Sequence, residues 1–295
     1  MNRRAFIVQT LTSAATSSIK KSNAHDPFNT VRIIGSFAPA PPSRRINVVT
    51  WNIERGTNLS SISTSLASCN GDLMLLQEVD SGTQRTGFAD IAVELSKRLQ
   101  QNAAYGIEFE ELSQEQGGKP AYIGQATFTR LPIVNSRVLR FHKQSGFWKP
   151  HSWIPSSVPL MQRRQGNRIA LVTELRFNGK ILVVYNVHLE SRSMGLIQAA
   201  QLDEILADSA RYSRATPILL GGDLNTKYFP STFLHKLERA GFQSALGERI
   251  ARTHTIMMSL DWLFARGPVK WGSGTVEQML HSSDHYPVTA TLTQQ

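Results

Sequence analysis

Cysteine is almost missing from this chain of 295 residues, which contains only Cys69. A disulfide framework within the chain and a metal site built from cysteine thiolates are therefore excluded. Apolar runs are short, and none reaches the roughly 18 consecutive residues that a membrane-spanning helix needs. Internal repeats and low-complexity stretches are also absent, which excludes repeat architectures. With 41% hydrophobic residues, the chain still has enough apolar material for one large core.

Acidic residues are scarce near the amino terminus, and this scarcity accounts for much of the net charge of +10. Residues 1–45 hold seven Lys and Arg and one acid, which leaves 25 basic and 21 acidic residues, a net charge of +4, in the remainder. A basic tail of this kind contacts polyanions or anionic lipid, or stays solvated. We divide the chain into a basic tail with a linker, residues 1–44, and a catalytic domain, residues 45–295.

The first residues resemble a twin-arginine export signal. Arg3 and Arg4 precede a weakly apolar stretch, and residues 22–24 form a small-x-Ala cleavage site. The polar residues within that stretch and the two lysines after it are atypical of such a signal. We predict export to the periplasm or the medium, and the alternative is a basic tail on a cytoplasmic protein. Residues 37–43 are predicted to be a linker, because their prolines cannot join a strand ladder or a helix interior.

The rest of the chain alternates short β-branched or Leu-rich runs with two amphipathic segments. Apolar spacings of three and four predict helices over residues 86–101 and Leu196–Ser209. Asn178 and Gly179 predict a hairpin with a type I′ turn. The pattern favours an α/β fold with two packed mixed sheets flanked by helices. The predicted strands are residues 46–53, 72–79, 121–129, 169–177, 180–189, 217–224, 259–266 and 286–293.

Several of these strands end or begin in polar groups that strand propensity disfavours. Asn52, Glu78 and His188 follow three strands, and Asp223 and Asn225 follow a fourth. Asp261, Asp284 and His285 precede two others, which an antiparallel arrangement brings to the same edge. Each alone is readily explained as a turn former or a salt-bridge partner. A carboxylate directly after an apolar strand, such as Glu78, is costly to bury without a cation, so together these groups predict a metal-assisted reaction site.

The motifs WNIE, LQEVD, NVHLE, GGDLNT, LDWLF and SDHYPV occur in that order between residues 46 and 292. This set resembles the endonuclease/exonuclease/phosphatase superfamily with the deoxyribonuclease-I-like fold. Each motif alone is weak, whereas six in sequence are specific. The resemblance implies a four-layer α/β sandwich and metal-dependent phosphoester hydrolysis.

The resemblance also implies a role for each motif residue. It makes Glu78 the principal ligand of Mg²⁺ or Mn²⁺, with Asn52 and Asp284 nearby, because such oxygen ligands suit these ions. It makes Asp223 the base that activates the attacking water, while Asn225 holds that water or a phosphate oxygen. It further implies that His188 and His285 donate to the non-bridging phosphate oxygens and that Asp261 fixes the tautomer of His285.

Some positions depart from the family pattern. Glu54 and Asp80 stand where the abasic-site DNA repair branch carries Asn and Lys, which argues against abasic-site cleavage. In the segment GQATFTR, residues 124–130, Gln125 replaces an amide one methylene shorter. We predict Gln125 as a phosphate- or His-holding residue, and Arg130 as a phosphate ligand or one half of a strand-end salt bridge.

An irregular segment, residues 141–168, mixes Trp148 and Trp153 with basic residues that include Arg168. Aromatic and basic side chains together can stack the bases of single strands or lie at a lipid headgroup layer. The alternative is that the rings fold back on the domain, with the prolines holding the loop. We predict Trp148 and Arg168 as substrate contacts.

The leading functional hypothesis is a metal-dependent phosphodiesterase that acts on nucleic acid. A phospholipid, as in a sphingomyelinase-like hydrolase, or an inositol phosphate is the alternative substrate, and the phospholipid case implies peripheral membrane contact. From another functional class, a non-catalytic binding domain can share the same fold. The sequence carries no signal for an oligomeric state.

Overall fold

The computed structural model describes residues 26–148 and 163–295. The predicted export signal and Trp153 lie outside these residues, so the signal stays a prediction. Within the described ranges, no helix is both long and apolar enough to cross a membrane.

The first sheet has nine strands in the order β1-β4-β5-β3-β2-β15-β13, with β7 added beside β4 and β14 beside β15. β2 and β3 are parallel, whereas β3 and β5 are antiparallel, so the sheet is mixed. Its strands are β1 (Val31–Ile34), β2 (Arg45–Arg55), β3 (Leu73–Ser81), β4 (Asn102–Glu111), β5 (Tyr122–Thr129), β7 (Arg164–Gly166), β13 (Val269–Trp271), β14 (Thr275–Val276) and β15 (Val288–Gln294).

The second sheet has six strands in the order β11-β12-β10-β9-β8-β6. β9 and β10 are parallel and β8 and β9 form the predicted hairpin, whose turn residues Asn178 and Gly179 have φ of 44° and 81°. Its strands are β6 (Ile133–Arg140), β8 (Ile169–Phe177), β9 (Lys180–His188), β10 (Ile218–Asp223), β11 (Gln243–Ser244) and β12 (Asp261–Arg266).

Successive side chains of the central strands point to opposite faces of the sheet, so each strand packs against a layer on either side. In β2, Val48 packs with residues of the second sheet, while Val49 packs with helical residues such as Leu66 and Leu95 on the other side. On the outer face of the second sheet, Leu202 and Leu237 bring two more helices onto the core. The four α-helices of the described residues are α1 (Leu59–Cys69), α2 (Ile91–Leu99), α3 (Leu196–Ser209) and α4 (Pro230–Arg239).

Two mixed sheets with helices on their outer faces form the predicted four-layer α/β sandwich, and this prediction is confirmed. All eight predicted strands are present. The helix predicted over residues 86–101 is shorter, because the Asp90 side chain caps it by accepting a hydrogen bond from Val93 N at 3.1 Å. The sequence analysis missed α1, whose face is rich in serine, and α4.

The predicted boundary between the tail and the catalytic domain, at residue 44, is wrong, because part of the predicted tail belongs to the folded domain. Val31–Ile34 pairs antiparallel with β4 as an edge strand of the first sheet. The following chain is also attached, because Phe37 N donates to Asn102 Oδ1 at 2.9 Å and Ala40 N donates to Arg130 O at 2.8 Å. A short run with one valine and two isoleucines can pair with the edge of an existing sheet. The sequence analysis missed this strand because it precedes a segment rich in proline.

Candidate active site

The polar strand ends meet at one edge between the two sheets, as the motif order predicts. Asp223, the last residue of β10, is flanked in register by His188 at the end of parallel β9 and by Asp261 at the start of antiparallel β12. Asn52 and Glu78 reach the same place from β2 and β3, which are neighbours in the first sheet. Sheet pairing and sandwich packing thus bring together side chains from distant positions in the chain.

Asp223 is the centre of the arrangement. Its Oδ2 lies 3.2 Å from Asn52 Nδ2, 3.5 Å from His188 Nε2 and 3.8 Å from His285 Nε2. Its Oδ1 accepts a hydrogen bond of 2.9 Å from the backbone N–H of Asn225. Burial raises the pKa of Asp223 to about 6, with Asp261 adding to the shift and the charge of His285 opposing it. The carboxylate is therefore held close to a pH at which it can accept a proton.

Gly222 is required beside this carboxylate. Its φ is 141°, and a Cβ at this position would lie 1.9 Å from Val187 O on the neighbouring strand. Only glycine allows the two parallel strands to approach closely enough to present Asp223 next to His188. Asn225 then turns back with φ of 49°, and its Nδ2 donates to Leu189 O at 3.0 Å. Its amide group thus closes the β9–β10 edge as well as lining the site.

His285 forms a buried pair with Asp261, in which Nδ1 and Oδ2 lie 2.8 Å apart. Burial by itself lowers the pKa of His285, but the carboxylates of Asp261 and Asp223 outweigh it and raise the pKa to about 10. The ring is therefore a cation at neutral pH, with Nδ1 on Asp261 and Nε2 directed at Asp223. The indole of Trp51 holds the same residue by donating to His285 O at 2.9 Å.

His188 occupies the corresponding place on the other side of Asp223. Its Nδ1 lies 3.6 Å from Glu108 Oε2, and Arg168 approaches the same carboxylate oxygen at 3.2 Å. Burial, and then the charge of Arg168, lower the pKa of His188 well below its ordinary value, so the ring is neutral. Burial also raises the pKa of Glu108 to about 7. The two histidines that face Asp223 thus differ in charge.

Gln125 does not line the cavity, so its contacts fit the predicted His-holding role and not the predicted phosphate-holding role. The side chain is fully buried, and its Nε2 donates to Glu108 Oε1 at 2.9 Å and to Ile169 O at 3.0 Å. The amide thus reaches across from the first sheet to β8. Gln125 therefore positions Glu108 and, through it, His188.

Arg130 is also a wrong prediction as a phosphate ligand. It follows β5, whose end lies opposite Leu73 at the start of β3, whereas Glu78 is near the other end of β3. Five residues of extended strand, about 16 Å, separate the two ends. Arg130 Nη1 instead contacts Asp72 Oδ1 at 3.2 Å, which is the strand-end salt bridge that the sequence left as the alternative.

Glu78 has the properties expected of a metal ligand. Its backbone is left-handed, with φ of 52°, which interrupts β3 and turns the side chain toward the site. Its closest polar contacts are long, 3.4 Å from Oε1 to Asn52 Nδ2 and 3.8 Å from Oε2 to Arg55 Nε. Burial raises the pKa of Glu78, but Arg55 and further cations outweigh it and lower the pKa to about 2. An ionised carboxylate with such weak partners fits a divalent cation bound through oxygen.

Asp284, predicted to lie near the metal ion, contacts His254, which the sequence analysis did not identify. Its Oδ2 lies 3.5 Å from His254 Nε2, and the ring of His254 contacts the ring of His285 edge-on at 4.5 Å between centroids. Within the described residues, two groups of side chains could hold a metal ion, namely His254 with Asp284 and His285, and Asp223 with Asp261 and His285. Asn52 directs Nδ2 toward Glu78 and Asp223, whereas its Oδ1 accepts a hydrogen bond from Glu54 N at 3.1 Å. The assignment of Glu78, Asn52 and Asp284 as ligands therefore stays a prediction.

Most residues of the site line a cavity of about 260 Å³, whereas Asp261 and Asp284 are not among its lining residues. Trp148 and Arg168, both predicted as substrate contacts, are part of its wall, and Trp148 Nε1 donates to Glu190 Oε1 at 3.1 Å. The guanidinium groups of Arg168 and Arg192 lie 5.4 Å and 5.7 Å from the ring centroid of Trp148. The indole thus holds cations at the cavity wall.

Several lining residues were not identified from the sequence: Arg55, Arg164, Arg192, Lys227 and His254. Lys227 had a usable signal, because it follows the GGDLNT motif directly. Its Nζ donates to Ser191 O at 3.1 Å, and burial lowers its pKa. His254 lies in an irregular segment with no periodic pattern, so only its isolated bridge to His285 reveals its place.

Comparison with solved structures finds the same fold in several proteins. An endonuclease/exonuclease/phosphatase from Beutenbergia cavernae DSM 12333 has a TM-score of 0.61 at 17% identity, over 85% of this chain and 72% of that chain. The human Nocturnin catalytic domain with bound sulfate anion has a TM-score of 0.62 at 16% identity, over 90% and 98%. Truncated Caenorhabditis elegans TDP2 has a TM-score of 0.56 at 18% identity, over 84% and 98%. Identities this low establish a likeness of fold alone.

A search of curated proteins by sequence found no match. The sequence profile of the Endonuclease/Exonuclease/phosphatase family matches residues 49–285, which include every motif residue discussed above. Members of this family are in general hydrolases that act on phosphoester bonds. The match spans most of the chain and agrees with the observed sandwich, and on this basis the chain belongs to the endonuclease/exonuclease/phosphatase family.

Proposed function

We propose that this protein is a phosphodiester hydrolase that depends on a divalent metal ion. The observation that carries the proposal is the surroundings of Asp223 Oδ2, with Asn52 Nδ2 at 3.2 Å and two histidine Nε2 atoms at 3.5 Å and 3.8 Å. A carboxylate surrounded by donors, within a cavity that also holds Glu78, suits the activation of water beside an anionic ester.

Asp223 serves as the general base. Its pKa of about 6 leaves it ionised at neutral pH yet basic enough to take a proton from water. The water oxygen forms a bond to phosphorus and its proton passes to Asp223 Oδ2. The ester bond on the opposite side of phosphorus breaks, and the departing oxygen keeps the electron pair, takes a proton from solvent and leaves as an alcohol. Asn225 N, which donates to Asp223 Oδ1 at 2.9 Å, holds the carboxylate in one orientation.

The two histidines bind the phosphate oxygens in different charge states. His285, with a pKa of about 10, is a cation that donates from Nε2 to a non-bridging oxygen as charge develops there. His188 is neutral and adds a hydrogen bond without adding charge. Asp261 lies 2.8 Å from Nδ1 of His285 and so fixes the orientation of that ring, while Glu108 lies 3.6 Å from Nδ1 of His188.

Glu78 and Asn52 would hold Mg²⁺ or Mn²⁺, with Asp284 at the edge of the site. When bound, the ion supplies charge neutralisation for the phosphate. Arg55 adds positive charge beside Glu78, where its Nε lies 3.8 Å from Oε2. Without such cations the carboxylates of this site would repel an anionic ester.

Two substrate classes have separate support. The five Lys and Arg side chains of the cavity wall favour a polyanion, which agrees with the nucleic-acid hypothesis. The small volume of the cavity, about 260 Å³, favours a substrate that inserts a single phosphodiester group, as a phospholipid headgroup does. Linear and circular DNA, RNA, sphingomyelin and inositol phosphates form the panel that separates them.

The reaction itself is tested on bis(p-nitrophenyl) phosphate, which is soluble and carries one diester. We expect hydrolysis that requires Mg²⁺ or Mn²⁺ and stops with chelator. We expect Asp223→Asn to lower kcat by about a thousandfold, since removal of one preorganised group costs about 3 to 4 kcal/mol of barrier. Val134→Ser, on the exposed end of β6, is the matched control and should retain activity.

Two results contradict the proposal. Wild-type turnover by Asp223→Asn excludes Asp223 as the base. Failure of the wild-type protein to hydrolyse any member of the panel with either metal favours the alternative from the other functional class, a non-catalytic binding domain on this fold.

A further inference from the structure

A second depression, which we call the apolar groove, opens beside the catalytic cavity. It has a volume of about 600 Å³ and lies between the amino-terminal ends of α3 and α4. The chain connects the two openings directly. Arg192 and Lys227 line the cavity, and Met194 and Tyr228, two positions and one position later, line the apolar groove. A molecule at the cavity mouth is therefore also near the groove.

The side chains of the apolar groove project into solvent. Met194 is 76% exposed, Leu196 is 82% exposed and Phe229 is 75% exposed. Large apolar side chains grouped in this way are uncommon on a monomer surface unless they meet a partner or a membrane. Ile256, which also lines the cavity, and its neighbour Met257 are 71% and 80% exposed. Exposed apolar side chains from a further segment of the chain thus lie at the cavity.

The backbone holds two of these side chains outward at a conformational cost. Phe229 has φ of 53° at the N-cap of α4, and Met257 has φ of 54° in the turn after His254. The left-handed region is unfavourable for bulky residues and persists where the surrounding structure or a function requires it. At Phe229 the next residue, Pro230, begins α4 and fixes the entry of the chain. Neither side chain is buried, so burial does not offset the cost of this backbone conformation.

The apolar groove has one ion pair within it and exposed arginine side chains at its edges. Lys236 pairs with Asp203 at 2.6 Å within the groove region. Arg239 on the groove wall and Arg192 at the cavity mouth are exposed. Exposed apolar side chains edged by arginine match a bilayer surface that contains anionic lipid, in which apolar groups enter the headgroup layer and cations meet phosphates.

We propose that the apolar groove, together with Ile256 and Met257, docks on the surface of a bilayer that contains anionic phospholipid. This docking places the mouth of the catalytic cavity in the headgroup layer. A nucleic acid would need basic side chains along its path, whereas Met194, Leu196 and Phe229 expose apolar side chains here. The consequence for substrate, a phospholipid headgroup diester, rests on the proposed phosphodiesterase activity, but the docking does not.

The test measures sedimentation of the full-length protein with vesicles of phosphatidylcholine and phosphatidylglycerol, with vesicles of phosphatidylcholine alone, and without lipid. The variant Leu196→Ser/Phe229→Ser removes two exposed groove side chains, neither of which is part of the catalytic machinery. We expect the wild type to bind the anionic vesicles and the variant to bind at least about tenfold more weakly, because each lost side chain removes apolar insertion.

Val134→Ser is the matched control. Val134 is 46% exposed on β6, near the end of β8 that lies away from His188, so its loss should leave vesicle binding unchanged. Both variants should hydrolyse bis(p-nitrophenyl) phosphate at the wild-type rate, since that substrate needs no surface. This readout separates the docking from the reaction: an inactive wild type that still binds vesicles through the groove contradicts only the proposed function.

Three results overturn the docking proposal. One is a wild-type protein that does not bind anionic vesicles. Another is equal vesicle binding by Leu196→Ser/Phe229→Ser, which assigns the binding to the basic tail or to another face. The third is a variant whose affinity for a DNA oligonucleotide falls while its vesicle binding does not, which assigns the groove to nucleic acid.

Discussion

Asp261 Oδ2 lies 2.8 Å from Nδ1 of His285, and both side chains are buried. Asp261 begins β12, whereas His285 precedes β15 in the other sheet, so this contact joins the two layers at the site. It directs Nε2 of the ring toward Asp223, 3.8 Å away. The pair therefore combines a structural link with the orientation of a catalytic donor.

Asp261→Asn should lower kcat by about a hundredfold with little change in KM, because the ring loses the partner that orients it and favours its positive charge. The substitution keeps the shape of the side chain, so thermal unfolding should show a folded protein. Steady-state kinetics on bis(p-nitrophenyl) phosphate measure the effect. Unchanged kcat would show that the orientation of His285 does not depend on Asp261.

Glu78→Gln should raise the Mg²⁺ concentration needed for half-maximal activity by about a hundredfold, because a neutral amide replaces the principal anionic ligand. The measurement is a metal titration of hydrolysis, supported by calorimetric titration of Mn²⁺ into the protein. Because the effect of burial is outweighed by neighbouring cations, which lower the pKa of Glu78 to about 2, the substitution should also lower the stability of the metal-free protein at neutral pH. An identical Mg²⁺ dependence in wild type and variant rules out Glu78 as a ligand.

Gln125→Met should lower the free energy of unfolding by about 2 kcal/mol, because Glu108 Oε1 and Ile169 O lose their donor in a buried position. KM should stay unchanged, since the side chain does not line the cavity. Arg130→Met is the companion variant, and loss of its partly exposed contact with Asp72 should cost about 0.5 kcal/mol or less. Chemical denaturation measures both, and a selective rise in KM for either variant would restore a role in substrate binding.

Gly222→Ala should prevent folding or destabilise the protein by at least about 3 kcal/mol. A Cβ at this position would lie 1.9 Å from Val187 O, and φ of 141° is strained for any other residue. Gly247→Ala is a control for the backbone effect alone, because its φ is 64° but nothing lies within 4 Å of an added Cβ. The two variants are compared by denaturant unfolding. Equal stabilities would mean that β9 and β10 can separate at this point.

Asp208 should add to the free energy of unfolding at neutral pH, and this contribution should be lost in acid. Burial raises its pKa, but hydrogen bonds from Arg137 and from Tyr185, the latter at 2.7 Å, outweigh it and lower the pKa. A carboxyl group whose pKa is lower in the folded state contributes stability above its unfolded value of about 3.9, and the contribution disappears as pH falls through the folded pKa. Asp208→Asn should therefore cost about 2 kcal/mol at neutral pH and progressively less in acid.

Denaturant unfolding of wild type and Asp208→Asn at a series of pH values measures this difference. The two free energies should converge as pH falls below about 4. A difference that is constant across the series would attribute the effect to packing rather than to the charge.

Much of the fold followed from local pattern. Strands with apolar runs, such as those ending at Asn52 and Glu78, form elements whose period and turn residues are visible in any one segment. Elements with weak local signals were missed: α1 owes its place to Ile62 and Leu66 packing on the first sheet, amid serines that give no clear period. β1 was missed because its partner strand is about seventy residues away in the chain.

The sequence by itself determined the family, the sandwich and the identities of the motif residues, because ordered motifs and apolar periodicity are properties of the chain alone. Only the tertiary structure decided that Gln125 supports Glu108 instead of a substrate and that Arg130 lies at the far end of its strand. It also decided that His188 is neutral and His285 is a cation, since burial and neighbouring charges set a pKa. Those neighbours come from separate strands of both sheets, and pairing register, which no local segment encodes, brings them together.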